Sequence, residues 1–485
     1  MNRRNFLKYV SIAGASLGLS GCAVKQFSFG PRQRKPNIIV IFADDLGYGD
    51  IGPYGHPTIA TPNLDRMAEQ GQKWTSFYAA APVCSPSRSA LMTGRYPIRL
   101  GTDESVFFEW SADGLPTEEV TIAQALKNAG YATGCVGKWH LGHLSRFLPT
   151  NRGFDEYYGI PYSNDMRVDP NMKVAKDVNF RESATLEKMR NPENRKGGWV
   201  PLMEGEEVVE YPCDQTTLTG RYTQRCVDFI KKNSDNPFFL YMAHSFPHVP
   251  LFASEEFSGK SRRGLYGDVV EELDASVGRI LDTLHEQELE NDTLVVFTSD
   301  NGPWLSKFEQ GGSAGLLRGG KGQTYEGGMR EPGIFYWPGR IAAGSVVMDI
   351  GTTMDLYKTF CSLACAKTPD GVQLDSFDLS PALFGSGSSP RKTFFYYRYR
   401  EIYAVRHGEW KLHFITQGAY RQGEPKTVHN PPLLYHLGHD PSEKYNVAKD
   451  NPEVVEEIKQ IAKEHSESFV PGESRYKKRF DWKDS

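Results

Sequence analysis

The sequence predicts an α/β fold: a mostly parallel sheet sandwiched by helices, followed by a smaller antiparallel sheet with a packing helix. Three observations predict it. NIIVIFA (37–43), PFFLYMAH (237–244) and TLVVFTSD (293–300) are continuous apolar runs of strand length, as strands buried on both faces require. Helical patterns alternate with them, the signature of parallel crossovers. After roughly residue 385 the pattern changes to short aromatic strands, TFFYYRYR, EIYAVRHG, EWKLHFIT and PPLLYHLG.

The chain begins MNRRNFLKYVSIAGASLGLSGC. Arg3 and Arg4, ahead of Phe6-Leu7-Lys8 and a short apolar run, form a twin-arginine export pattern, and the run is too short to span a bilayer. Leu19-Ser20-Gly21-Cys22 resembles a bacterial lipoprotein processing site with Cys22 as the lipidated residue. Residues 1–22 are therefore expected to be an export signal read by the twin-arginine machinery, and 23–35 a tether. The expected location is periplasmic or lipid-anchored at the membrane.

Strand 37–43 runs into Asp44-Asp45. TPNLDRMAEQG (61–71) reads as a helix, with Thr61 as N-cap, Pro62 in the first turn and Gly71 as the stop. SPSRSALMTG reads as a helix begun by Cys84. PTEEVTIAQALKNAG (116–130) repeats the first helix's grammar, with Thr117 as the expected cap and Gly130 as the stop. YATGCVGKWH follows as a strand. Residues 165–220 are irregular, rich in charge and Asn, and are expected to be a long insertion carrying a hairpin, WVPLMEG then EEVVEYP. From Tyr266 to Leu284, Val269, Val270, Leu273, Val277, Ile280 and Leu281 recur at helical spacing. Strand 293–300 ends in Asp300-Asn301, and 452–469 is a helix. These boundaries suggest a large α/β domain over 36–385 and a C-terminal subdomain over 386–485.

The net charge of −4 is small for this length and gives no case for nucleic acid. The 12% aromatic content fits a carbohydrate-facing protein, but equally a large core. The seven cysteines show no metal-type spacing and are too few for a disulfide scaffold. Cys361 and Cys365 lie on a helix at a spacing that disfavours a bridge.

In a parallel sheet, ligands bind at the carboxyl edge of the strands. Asp44, Asp45, Asp300 and Asn301 all fall there, an all-oxygen set suited to a hard divalent cation, Ca²⁺ or Mg²⁺. Cys84 stands where a helix start favours an anion, with Arg88 one turn on. Lys138 and His140 in GKWHLG, His244 and His248 in AHSFPHVP, and Lys321 in RGGKGQTYEGG each follow a strand or sit in a Gly-rich loop. Together they suggest a pocket for a tetrahedral oxyanion, with arginine binding it bidentately and lysine as a point charge.

Cys84-Ser85-Pro86-Ser87-Arg88, with Leu91, Thr93 and Gly94, resembles the signature of the type I, formylglycine-dependent sulfatases. FADDLGYGD, GKWHLG, GIPYS, GLLRGGKGQTYEGGMREP and PPLLYHLGHDPSEKYN extend the resemblance over nearly all of residues 36 to 470, within the arylsulfatase A and N-acetylgalactosamine-6-sulfatase branch. The resemblance implies an alkaline-phosphatase-like fold and oxidation of Cys84 to formylglycine by a formylglycine-generating or radical maturation enzyme. It implies Asp44, Asp45, Cys84, Asp300 and Asn301 as metal ligands. It implies Arg88, Lys138, His140, Ser163, His248 and Lys321 as the sulfate pocket, His248 being preferred to His244 because it lies in His-x-Pro. Asn164 stands where related sequences often carry His, which puts the rim beside Ser163 in question. The implied activity is hydrolysis of a sulfate monoester on a sulfated saccharide, with the hydrated aldehyde as nucleophile. A phosphodiesterase or phosphonate monoester hydrolase of the same superfamily is the alternative chemistry. A non-catalytic glycan-binding relative is the alternative class.

Overall fold

A computed structural model describes residues 35–480. The export pattern, Cys22 and the tether up to residue 34 lie outside the described residues. No helix among the described residues is long and apolar enough to cross a membrane.

Twelve strands form one sheet. In chain order they are β1 (Asn37–Ala43), β2 (Gln72–Tyr78), β3 (Ala132–Gly137), β4 (Glu156–Gly159), β5 (Val174–Phe180) and β6 (Leu202–Glu204). The others are β7 (Glu207–Tyr211), β8 (Phe238–Ala243), β9 (Thr293–Ser299), β10 (Arg330–Tyr336), β11 (Ser345–Val347) and β12 (Gly351–Thr352). Their spatial order is β11-β2-β10-β9-β1-β8-β3-β4-β6-β7-β5, with β12 beside β2. The central run β9-β1-β8-β3-β4 is parallel throughout, so its carboxyl ends share one edge.

Alternate residues of β1 serve two cores. Ile38, Val40 and Phe42 pack with Leu126, Tyr357 and Phe360 from helices Ile122–Asn128 and Asp355–Ala364. Ile39, Ile41 and Ala43 pack with Tyr222, Val277 and Ile280 from helices Leu218–Lys232 and Leu265–Glu286. Each such aliphatic side chain contributes about 1.5–3 kcal/mol on leaving water, which is why a strand with no polar face is stable only between two helical layers.

Three sequence expectations are revised. The cap of the helix after residue 116 is Thr121, whose hydroxyl accepts from the Gln124 amide; Thr117 lies outside the helix. Arg152 takes the carbonyls of Pro116, Thr117 and Glu119, so that segment is a clamped turn. Thr61 precedes helix Pro62–Glu69, but its hydroxyl accepts from Gly52; the first-turn amides of Asn63 and Leu64 go to Asp274 instead. The 165–220 segment carries the expected antiparallel hairpin, β6–β7, but with β5 it extends the main sheet beyond β4. The six described cysteines are all free.

A second sheet, β13 (Thr393–Arg398), β14 (Glu401–His407), β15 (Trp410–Thr416) and β16 (Thr427–His436), is antiparallel and covered by helix Pro452–Glu467. It packs on the large domain through Phe394 and Tyr396 against Tyr78. Beside this contact lies a fully buried charge cluster. The Lys411 ammonium donates to Glu326 (2.9 Å) and to the Thr324 carbonyl (2.9 Å), and pairs with Glu443 (2.9 Å). Glu326 also accepts from the Tyr78 and Tyr396 hydroxyls, and Glu443 accepts from the Glu326 amide and bonds His413. Burial alone would push Glu326 up, but Lys411, Arg330 and Arg406 hold it well below the usual carboxylate range.

Lys411→Met strands two carboxylates in a dry interior and is expected to lower unfolding free energy by about 3–5 kcal/mol, read by chemical denaturation. Because Glu326 is depressed in the folded state, its stabilising contribution is present above the ordinary glutamate value of 4.5 and fades as pH falls further. The wild type's stability should therefore drop below that pH, and the gap to a Glu326→Gln variant should narrow there.

Candidate active site

The sequence put carboxylates after two strands; backbone pairing makes them one site. The Asp300 amide bonds the Ala43 carbonyl (3.1 Å), and the Asp45 amide bonds the Asp300 carboxylate (3.1 Å). Asn301 donates to Asp45 (2.8 Å). Asp45 holds φ 64°, a left-handed conformation rare outside glycine, and His140 holds φ 59°. Such strain persists only where surrounding contacts over-determine it, and it clusters at functional sites.

Helix Cys84–Thr93 points its first turn at this edge. The Cys84 thiol donates to Asp44 at 3.4 Å. Arg88, 0% exposed, gives Nε and Nη2 to Asp300 (3.0 and 2.8 Å) and Nη1 to the Lys138 carbonyl (2.9 Å). Lys138 reaches Asp44 (2.5 Å) and Ser163 (3.3 Å), and Lys321 reaches Asp45 (2.7 Å). His248 stands 3.7 Å from Asp45 and 3.4 Å from the Ser163 hydroxyl. The sequence-predicted site residues other than His140 and His244 thus join one hydrogen-bonded, buried cage; the His140 ring, also buried, bonds only the Phe107 carbonyl. His244 is buried, both its ring nitrogens lack partners, and burial lowers it to about 4.

Both cage histidines are neutral, and their hydrogen bonds tell them apart. His140 gives its Nε2 proton to the Phe107 carbonyl (3.0 Å), leaving buried Nδ1 without a partner. Burial, then Lys138 and Arg88, push it well down, so it is a neutral base. His248 Nδ1 faces the Val249 carbonyl (2.6 Å) and the Asn164 amide oxygen (3.0 Å). Burial, Lys321 and Lys138 keep it neutral too. Burial and the carboxylates Asp300 and Asp44 raise the Cys84 thiol far above its ordinary value, so an unaltered Cys84 is a poor nucleophile.

The residues fit a cation. Ligand atoms of Asp44, Asp45, Cys84 and Asp300 all lie within 4.8 Å of one another. The side-chain amide oxygen of Asn301, Oδ1, is buried without a partner, a ligand atom left over for an ion. Burial raises both Asp45 and Asp300 against the pull of Lys321 and Arg88. The oxygen donors of Asp44, Asp45, Asp300 and Asn301, leaving aside the Cys84 sulfur, suit Ca²⁺ or Mg²⁺.

Sequence reasoning missed four contributors. Asn164 is not on the rim; it is wholly buried and buttresses His248. Phe107 orients His140 through its carbonyl, and its amide bonds Ser85. Trp304 packs under Lys321, whose ammonium is 4.3 Å from the ring centroid, and beside His248 at 5.4 Å. Tyr420 comes from the C-terminal sheet and lies 4.8 Å from Trp304, centroid to centroid. Trp304 is three residues past Asn301, a signal that was available; Tyr420 carried none.

The family profile described as Sulfatase matches residues 36–366, and that of the C-terminal region of aryl-sulfatase matches 389–485. The chain is similar to human arylsulfatase A, 43% identical over 88% of this chain and 87% of that protein. It is similar to the N-acetylgalactosamine-6-sulfatase of Sus scrofa, 39% identical over 95% of this chain and 90% of that one. The solved structure of Ps i-CgsB in complex with k-i-k-neocarrahexaose has a TM-score of 0.77 and 31% identity, covering 92% of this chain and 96% of that chain. The large, mostly parallel sheet and the separate antiparallel one of this chain follow the alkaline-phosphatase-like arrangement of that structural neighbour. The chain therefore belongs to the sulfatase family and is a sulfuric ester hydrolase.

Proposed function

We propose that this hydrolase removes sulfate from a sulfated saccharide, with Cys84 matured to formylglycine beside a bound Ca²⁺. The observation that carries the reading is the Cys84 side chain, at a helix start, inside a buried set of Asp44, Asp45 and Asp300 ringed by Arg88, Lys138 and Lys321. The saccharide is supported by the sugar named in one relative and the oligosaccharide bound in one similar structure.

Asp44, Asp45, Asp300, Asn301 and residue 84 would hold the cation, which supplies fixed positive charge. Hydrated formylglycine supplies a hydroxyl nucleophile for sulfur and later expels sulfate without an attacking water. This chain's residues do the rest. Arg88, Lys138 and Lys321 neutralise the sulfate oxygens, and Ser163 adds a hydroxyl donor. His248 or Lys321, both beside Asp45, gives the leaving oxygen its proton. His140, with Nδ1 free, takes the proton whose loss lets sulfate depart.

The domain division belongs to the same reading, with catalysis in 36–385 and the C-terminal subdomain in 386–485 lending Tyr420. So do twin-arginine export, an anchored or periplasmic location through Cys22, and a maturation enzyme acting before export.

Cys84→Ser should keep the wild-type circular dichroism spectrum yet lose multiple-turnover sulfate release; turnover near the wild-type rate sinks the assignment. The intact peptide around Cys84 in active protein should carry an aldehyde, seen by mass. Lys321→Ala removes one oxyanion contact and should lower kcat by about 10²–10³. Chelation should abolish turnover and lower the melting temperature, both restored by Ca²⁺; bound at a hundred times its Kd, a ligand stabilises by about 2.7 kcal/mol. Unchanged melting after chelation speaks against the cation.

A further inference from the structure

The cage residues are almost sealed: Lys138 and Arg88 are 0% exposed, His248 3% and Lys321 6%. The group that carries the sulfate must rest on whatever surrounds the opening. On one side that is Trp304 and Tyr420. Trp304 bears the Lys321 ammonium 4.3 Å from its centroid and the Lys307 ammonium at 4.4 Å, so it serves as a pillar more than a free face. Tyr420 stands one ring further out and is 42% exposed, a large aromatic left in water beside a buried anion pocket.

The loop presenting Tyr420 is built to do so. Ala419 and Gln422 exchange amide–carbonyl bonds (2.9 and 2.8 Å), and Arg398 clamps the Gln417 and Gly418 carbonyls at 3.1 Å. Tyr420 and Arg421 hold φ 50° and 66°, a left-handed pair of non-glycine residues. A strain of that kind has to be repaid by its surroundings. Beneath the ring sits Gly322, next to Lys321; a Cβ there would meet Tyr420 at 2.9 Å and the Ala419 Cβ at 2.8 Å. The aromatic ring and the sulfate-binding lysine are thus set in register by one glycine contact.

We propose that Tyr420 is a specificity-determining residue, the platform on which the apolar face of the sulfated sugar ring stacks while its sulfate enters the cage. Three things favour a sugar over a flexible alcohol: the ring's rigid presentation, its exposure, and its position directly outside Lys321. Trp304 is the positioning residue that fixes the platform against the cage. This inference rests on the sulfated-saccharide reading above.

The test uses the full chain carrying Cys84→Ala, so that binding is measured without turnover. Titration calorimetry compares a monosulfated hexose with inorganic sulfate. Tyr420→Ala should weaken the sulfated hexose by about fivefold or more, while inorganic sulfate stays within about twofold. Tyr420→Phe, which keeps the ring, should bind the sulfated hexose like its parent. Hexose binding unchanged in Tyr420→Ala, or sulfate binding weakened equally, overturns the platform. Failure of the wild type to release sulfate from any sulfated sugar overturns instead the saccharide reading beneath it.

Discussion

Three carboxylates, Asp44, Asp45 and Asp300, and three cations, Arg88, Lys138 and Lys321, lie together, each buried from solvent. Each alone would cost several kcal/mol to bury; mutual pairing at hydrogen-bond distance is what permits any of them to be there. The pairing also explains the scaffold. Only the common edge of parallel strands can bring residues 44, 138 and 300, far apart in sequence, to one point with their backbones bonded to neighbouring strands. The helix that starts at Cys84 then contributes Arg88 from within, under the carboxylates, and no member can be moved without exposing another's charge.

The second sheet contributes more than cover. Lys411 holds the Thr324 carbonyl, and Glu443 holds the Glu326 amide; both anchor the loop that carries Lys321. The loop's other side is held by the Lys321 amide on the Pro303 carbonyl and the Gly322 amide on the Pro82 carbonyl. Lys321 is therefore suspended between the large domain and the C-terminal sheet. Buried charge recurs at this junction because a polar loop squeezed between two cores has to be satisfied from both.

Much of this was legible in the sequence, for physical reasons. Strands such as 37–43 and 293–300 read cleanly because burial on both faces removes every polar residue. The edge strands did not: no residue of β5 is fully buried, only Val174, Val178 and Phe180 lean on the core, and its sequence looks like a loop. Thr117 resembled a cap because Pro116, Glu118 and Glu119 imitate a helix start, while Arg152, thirty-odd residues on, decides otherwise. In the site, residue types at strand ends were informative because parallel topology dictates where ends meet. Tyr420, Phe107 and Asn164 depend on packing between distant segments, and no local pattern announces that. The motif resemblance supplied Ser163, which spacing alone had not singled out.

Cys84 is 2% exposed, at the foot of a helix whose residues are all buried. An enzyme cannot reach that side chain once the sheet has closed around it. Any conversion of the thiol must therefore win a race against folding, on a nascent or still open chain. On the formylglycine reading proposed above, molecules that fold first would keep the thiol and the same shape without the nucleophile. The specific activity of a preparation would then record how synthesis was timed against maturation, and no later treatment of the native protein would raise it.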